Sequence, residues 1–471
     1  IPRDGFPYCE PFTNSTTRAN TVFDGVPKPA FLTAGAGDAE GDGFLQLTDN
    51  TTDQRGYVFI DLPFSSAYGI KVSFEYFAYG GINPPAYADG ISFFMFDGDI
   101  IPDDKIAPLQ PNEFRIGGLG GSLGYAPWRR NANLTSIPDQ PGLRAGYIGI
   151  GFDAFRNWGN EYEGRFGGFK DPFAEGFGPV PNERQYYNTI AIRGPESTNY
   201  RFIDGKRTFS RSFLNEEQPA VYTDPIAGSY YLFNSLDPVQ YIARRFRIGS
   251  LNLAEQCNQD GYRKVFIDLF PVGGGNYLLT VDMLVNNGGT LRLENIFNNV
   301  PYNFPAPKNL KIGFAASTGT PNTNFHKIRN VTAQVSDYAS IPVPEITPLE
   351  AEVCQGQSNL FEFDVNLTSE NSFVRCVQLF ENNPGLPDNT APTGGDPSLS
   401  NCGLSNVCVE KCDPNNNSIT IPGKGTFTVE LEQLTTDNFD TERFAASVRF
   451  VPESNFVGTA QIYYQVLDNY G

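Results

Sequence analysis

Histidine is almost absent from this chain: His326 is the one residue of its kind in 471. A lone imidazole cannot complete a common zinc set, and it leaves triad-type hydrolysis poorly supported. Methionine and tryptophan are nearly as scarce, at two each. No apolar run approaches the roughly 20 residues of a membrane helix. Lys and Arg number 34 against 53 Asp and Glu, a net charge of −19. That balance disfavours nucleic acid and anionic membranes as partners. Cysteine is sparse and uneven: Cys9 and Cys257 stand alone in the first 340 residues, then Cys354, Cys376, Cys402, Cys408 and Cys412 follow. With no C-x-x-C among them, disulfides are the better reading, which points to an oxidising compartment and an exported, extracellular or cell-surface protein.

What is abundant is glycine (48), proline (36), phenylalanine (39) and tyrosine (23). That mixture suits short strands joined by tight turns. Strand-like runs are Tyr57–Leu62, Lys71–Tyr79, Gly90–Phe96, Ala145–Phe152, Thr189–Arg193, Lys264–Leu269, Tyr277–Leu284, Asn309–Ala315 and Lys327–Gln334, several of which alternate apolar and polar residues. These read as half-buried antiparallel strands. The stretch Pro195 to Ile248 lacks a clean pattern and reads as an elaborated loop region. The Pro-spaced segment 341–348 reads as a stiff connector. Beyond it the composition shifts: residues 341–471 hold 18 acidic and 5 basic residues and five of the seven Cys. We therefore expect domains at 1–340 and 341–471, the second a smaller β-sandwich. The chain opens at Ile1 without Met and closes at Gly471 behind an apolar run, so it reads as a mature or excised piece with more chain downstream.

Four segments of the first part resemble one family. They are Ala88-Asp89-Gly90-Ile91-Ser92-Phe93-Phe94, Gly120-Gly121-Ser122-Leu123-Gly124-Tyr125, the run 149–157 with its core Phe152-Asp153-Ala154-Phe155-Arg156-Asn157, and the closing pair 312–319 and His326-Lys327-Ile328. In this order they are similar to legume-type (L-type) lectins over roughly residues 25–335. The runs 163–168 (E-G-R-F-G-G) and Ile192-Arg193-Gly194 bring the flavour close to lectin-like domains of bacterial surface proteins. The run 456–466 resembles tandem Ig/cadherin-like modules of adhesins. The resemblance implies an all-β, concanavalin A-like jelly-roll sandwich followed by an Ig-like sandwich. It implies a calcium-dependent, non-enzymatic carbohydrate-binding adhesin module, whose partners are glycans or polysaccharides and further domains of the same chain.

Residue by residue, the resemblance makes Asp89 the acceptor for sugar hydroxyls and Asn157 an amide donor. Gly120 and Gly121 supply a backbone N–H, and Phe155 stacks on the sugar face. A peptide preceding Asp89 in the cis form is also implied. Asp153, the Phe155 carbonyl, Asn157 and Glu161 become oxygen ligands for Ca2+, with Glu163 as the alternative to Glu161. The family's glutamate before F-D is Gly151 here, and its metal-binding His is replaced near Asn188, so no manganese is expected beside the calcium. As the only Cys of the first domain, Cys9 and Cys257 are expected to pair.

Plainer readings stand beside these. Asp89 before Gly reads as a turn residue, Asp153 and Asn157 as Asx-turn residues, and Trp158 as either core or a second sugar-facing aromatic. The acidic run Asp38 to Asp42, with Asp49 at the twelfth place, reads as a turn rather than an EF-hand, and His326 as structural. A glycoside hydrolase on the same sandwich is the main functional alternative, but its E-x-D-x-x-E strand motif is missing from residues 1–340. A stalk with a decayed site is the third reading.

Overall fold

Side chains point alternately to the two faces of a strand, so a strand whose faces both meet cover must be apolar throughout. Gly90–Asp97 is such a strand. Ile91, Phe93 and Met95 enter one core, while Phe94 and Phe96 enter another. The computed structural model describes residues 5–82, 87–102, 112–129, 138–155, 157–160, 162–168, 188–208, 220–224, 229–233, 246–346, 348, 350–363, 365–367, 372–385, 412–432 and 445–470.

The described strands of the first part are β1 (Tyr8–Glu10), β2 (Thr21–Val26), β3 (Phe31–Leu32), β4 (Leu45–Thr48), β5 (Arg55–Ser65), β6 (Ile70–Tyr79), β7 (Gly90–Asp97), β8 (Gly146–Asp153), β9 (Thr189–Arg193), β10 (Phe202–Arg207), β11 (Ala220–Asp224), β12 (Ser229–Phe233), β13 (Arg263–Pro271), β14 (Tyr277–Asn287), β15 (Thr290–Tyr302), β16 (Asn309–Ser317) and β17 (Phe325–Val335). One sheet runs β15-β14-β13-β6-β17-β4-β3, with β1 beside β17; the other runs β10-β9-β8-β7-β16-β5-β2. The sheets face each other across a shared apolar core. Phe74 of β6 packs edge-on to Phe314 of β16 at 4.7 Å, and Tyr76 meets Phe152 of β8 at 5.5 Å. The neighbours β6/β17 and β7/β16 are far apart in sequence, as jelly-roll connections require. The fold is the all-β, two-sheet sandwich expected.

A second core covers the outer face of the seven-stranded sheet. It gathers Tyr57, Phe59, Phe94, Phe96, Phe114, Tyr125 and Trp158. Strand β8 shows how sequence serves the two cores: Ile148, Ile150 and Phe152 fill the inner one. On the outer face stand Gly149 and Gly151, where Tyr125 and Trp158 lie so close that a Cβ would come within 2.5 Å of either ring. Trp158 is therefore core, which resolves its two readings.

Within the stretch Pro195 to Ile248, the described residues include three strands that the pattern did not show. β10 extends the seven-stranded sheet by pairing with β9, and β11 and β12 form a hairpin. The acidic run near Asp38 is a turn, as read: the Glu40 carboxylate accepts the Ser15 N–H at 2.9 Å, and Asp49 pairs with Lys28 at 2.6 Å. His326 is fully buried, its Nδ1 2.7 Å from the Thr48 hydroxyl.

Past residue 341 the described strands are β18 (Glu345–Ile346), β19 (Asn359–Phe363), β20 (Val365–Asn366), β21 (Val374–Phe380), β22 (Ser418–Ile421), β23 (Gly425–Glu432), β24 (Ala445–Pro452) and β25 (Tyr463–Asp468). They form a four-stranded sheet, β19-β24-β23-β22, and the pairs β18-β20 and β21-β25. Cys376 and Cys412 are joined, with Cα atoms 6.1 Å apart, and Cys354 is a free, exposed thiol. Cys402 and Cys408 lie outside the described residues. The segment at Phe6 docks on this part: its N–H donates to Asn469 O at 2.6 Å, and its carbonyl accepts from the buried Arg375 at 2.9 Å. Tyr470 in turn packs edge-on to Tyr68 at 5.2 Å. Among the described residues, no helix is long and apolar enough to cross a membrane.

Candidate functional site

Strand register assembles the site. Gly90, the first residue of β7, pairs with Asp153 at the end of β8 and with Ser317 at the end of β16. Three segments distant in sequence thus finish at one end of one sheet. Asp89, one residue before β7, extends both ladders: its N–H donates to Ser317 O at 3.0 Å, and its carbonyl accepts the Ala154 N–H at 2.8 Å. The Ala88–Asp89 peptide is cis, as the family resemblance implies.

The Asp89 side chain is 3% exposed, and its Oδ2 has no hydrogen-bond partner. A buried carboxylate oxygen left unsatisfied is costly, so this atom is set to accept donors from a ligand. The wall before it is backbone. A Cβ on Gly319 would stand 3.0 Å from Oδ2, and one on Gly120 3.8 Å away. Burial, reinforced by the charges of Asp153, Glu163 and Asp53 and opposed by Arg165, pushes the Asp89 carboxyl well above the usual carboxylate range.

The Gly120–Ser122 turn is tied to the sheet end. Ser317 Oγ donates to Gly120 O at 2.5 Å, and Ser92 Oγ donates to Leu123 O at 2.7 Å. Gly121 lies against Asn157 so tightly that a Cβ would come within 2.1 Å of the Asn157 Cβ. Asp89, Gly120, Gly121 and Asn157 are therefore neighbours. Phe155 follows on the same loop, half-buried. Gly120 to Gly124 also spells the G-x-S-x-G pattern of a nucleophile elbow. Ser122 is fully buried, however, with its hydroxyl donating to Pro127 O at 2.8 Å and meeting Arg165 at 3.0 Å. It is a structural hydroxyl.

Asp153 is fully buried at the head of an Asx-type turn. Its Oδ1 accepts the Phe155 N–H at 2.8 Å and its Oδ2 the Trp158 N–H at 2.6 Å. A carboxylate oxygen has two lone pairs, so an Asx turn does not by itself contradict a ligand role. The expected ligand Glu161 lies outside the described residues. Its alternative, Glu163, is committed to Arg165 at 3.1 Å. Among the described residues, no three His, Cys, Asp or Glu side chains cluster as a metal site. What the loop offers a cation is one carboxylate, a backbone carbonyl and an amide oxygen, a set whose chemistry suits a hard ion such as calcium.

Several residues here escaped the sequence reading. Arg165 and Arg193 sit inside the motifs E-G-R-F-G-G and I-R-G, and Gly319 closes the 312–319 run, but no role had been assigned to any of them. Arg193 is fully buried and gathers the carbonyls of Trp158, Asn160, Phe166, Gly167 and Tyr200 at 2.8–3.2 Å.

No protein-family model and no curated protein sequence matches the chain. Among solved structures it is similar to lectin I-B4 of Griffonia simplicifolia in its metal-free form, at 16% identity over 69% of this chain and 98% of that one, TM-score 0.35. It is also similar to the exoplasmic/lumenal domain of VIP36 bound to Ca2+ and Man3GlcNAc, at 10% identity over 68% and 87% of the two chains, TM-score 0.33. A third likeness is to lectin UEA-II complexed with galactose, at 13% identity over 70% and 98%, TM-score 0.34.

Proposed function

We propose that the sandwich of residues 1–340 is a carbohydrate-binding module, not an enzyme, whose sugar sits over the loop end of the seven-stranded sheet. The observation that carries this reading is the Asp89 carboxylate: buried, unsatisfied at Oδ2, and faced by the side-chain-free backbone of Gly120 and Gly319. A pyranose offers vicinal hydroxyls that donate to such an oxygen and an apolar face that stacks on an aromatic ring. Asp89 accepts from the hydroxyls, Asn157 donates its amide, the Gly120–Gly121 backbone completes the polar set, and Phe155 covers the apolar face.

Calcium belongs to this reading. Asp153, the Phe155 carbonyl, Asn157 and Glu161 would hold it, and bound there it would stiffen the loop that carries Asn157. Residues 341–471 act as an Ig/cadherin-like module joining the lectin to further domains of the same chain. The whole is a module of an exported surface adhesin that attaches to glycans or polysaccharides. The cystines support an extracellular setting.

A glycan array probed with and without chelator, using wild type and Asp89→Asn, tests this. Hydrogen bonds to a charged acceptor contribute about 1.5–3 kcal/mol, so the variant is expected to lose roughly ten- to a hundredfold in affinity with its fold intact. Binding as tight as wild type would place the site elsewhere. Appearance of cleaved glycan would overturn the non-enzyme reading.

A further inference from the structure

The chain that follows Asp153 is pinned from two sides. Asp153 Oδ2 accepts the Trp158 N–H at 2.6 Å. Across the same residue, the Trp158 carbonyl accepts from Arg193 Nε at 3.0 Å and Nη2 at 2.8 Å. The rest of the guanidinium is spent on the same loop and its neighbour: Nη2 also reaches Asn160 O at 2.8 Å and Gly167 O at 3.2 Å, while Nη1 donates to Phe166 O at 3.1 Å and Tyr200 O at 3.0 Å. Guanidinium presents five donors in one rigid plane, so a single side chain fixes five carbonyls in fixed directions. Its cationic centre also lies 5.5 Å from the Trp158 ring, within cation–π range.

This cluster is fully buried and anchored on the last residue of β9, which is in register with Gly149 of β8. Asn157 is the residue just before Trp158. Its Cβ is wedged against Gly121, and its carbonyl accepts the Asn160 N–H at 3.3 Å. Moving the Trp158 or Asn160 peptide therefore moves Asn157. A fixed cation already does within the protein what a bound ion does for a loop: it collects backbone oxygens that would otherwise repel one another.

We propose that Arg193 is a positioning residue for ligand recognition, holding the peptides of Trp158, Asn160, Phe166 and Gly167, and through them the Asn157 amide, in binding geometry before any metal ion arrives. This inference rests on the sugar-site reading above. It predicts that the loop is formed in the calcium-free protein and that calcium completes a site rather than building it.

Two measurements test it. In calcium-free wild type, hydrogen exchange of the Trp158 and Asn160 amides should be as slow as in neighbouring β8. Exchange as fast as in an exposed turn would overturn the proposal. The second uses Arg193→Lys, which keeps the charge but cannot reach five carbonyls. Measured well below its melting temperature, its glycan affinity should fall by about tenfold or more, as for other groups that orient a binding residue, and saturating calcium should not restore it. A merely structural arginine would lower the melting temperature and leave the affinity of the folded fraction unchanged, which would sink the idea. If Arg193→Lys does not fold, hydrogen exchange in the wild type decides. Asp89→Asn run alongside separates the two claims: if it binds normally, the site reading has failed; if it loses binding while Arg193→Lys does not, only the positioning role has failed.

Discussion

The indole of Trp158 occupies the space a side chain on Gly151 would need: a Cβ there would come within 2.5 Å of the ring atoms Cδ2, Cε2 and Nε1. The indole is in turn fixed by its Nε1–H, which donates to Ala191 O at 2.8 Å. Gly151 is the position where the legume pattern carries a metal-binding glutamate. Here the space beside Gly151 is filled by the Trp158 ring.

Enlarging Gly151 should accordingly damage the outer core. Gly151→Ala overpacks a rigid ring and is expected to lower stability by about 1–3 kcal/mol, read from the urea midpoint. Gly151→Glu should not create a manganese site, because the carboxylate would have to displace Trp158. A folded Gly151→Glu protein of wild-type stability that titrates with manganese would show this account to be mistaken.

Cys9 and Cys257 are both disulfide-bonded. Their surroundings converge. Cys9 pairs in register with Thr332 of β17, Asn330 donates its N–H to Pro11 O at 3.0 Å, and Cys257 lines one pocket with Arg329 and Asn330. We expect a non-reducing digest to release the peptides of Cys9 and Cys257 as one linked species. Serine at both positions should cost roughly 2–5 kcal/mol. Linkage of Cys9 to Cys402 or Cys408 instead would refute the pairing.

Much of the fold was legible because its strands keep a clean period. Thr189–Arg193 was read to the residue, and Lys71–Tyr79 and Gly90–Phe96 to within one at either end. β15 was not seen, although it is 13 residues long. It is a sheet edge whose Asn295, Asn298 and Asn299 face solvent while Glu294 is buried, and it is bulged against β14 near Val281, so the apolar period is interrupted. The carboxylate and glycines of the site were legible from their motifs. Arg193 was not: its work is done entirely on backbone carbonyls, and which carbonyls a buried side chain will meet is a property of the folded chain rather than of local pattern.

Burial lowers the His326 pKa to about 3, against an ordinary value near 6.5. In the unfolded chain the imidazole takes a proton as pH falls below about 6.5, whereas in the folded one it does not until about pH 3. His326 therefore leaves stability untouched above pH 6.5 and erodes it progressively between there and pH 3, by up to about 1.4 kcal/mol per pH unit. Buried carboxyls with raised values, such as Asp89, act in the opposite sense in the same window, so wild type alone is uninformative. The comparison is with His326→Gln, which lacks the titration: its stability should fall less steeply from pH 6 to pH 4. Parallel curves for the two proteins would rule out this contribution.

Gly319 offers the sharpest probe of the space in front of Asp89. Its Cβ would stand 3.0 Å from Asp89 Oδ2 and 3.8 Å from Oδ1, at the oxygens a sugar hydroxyl must reach. Backbone strain is not an issue there, since Gly319 is not among the residues with positive φ. Gly319→Ala should therefore leave the Asp89 carboxyl in place without backbone strain, yet the methyl group would crowd Oδ2 and occupy the volume of the incoming hydroxyl. Losing one or two hydrogen bonds to a charged acceptor corresponds to about ten- to a hundredfold in Kd. Gly37→Ala is the control, because that exposed glycine meets no atom within 4 Å and has no positive φ. Glycan titration of both variants should show the loss in Gly319→Ala only. Equal affinities for Gly319→Ala and wild type would mean that the ligand does not approach Asp89 across this glycine.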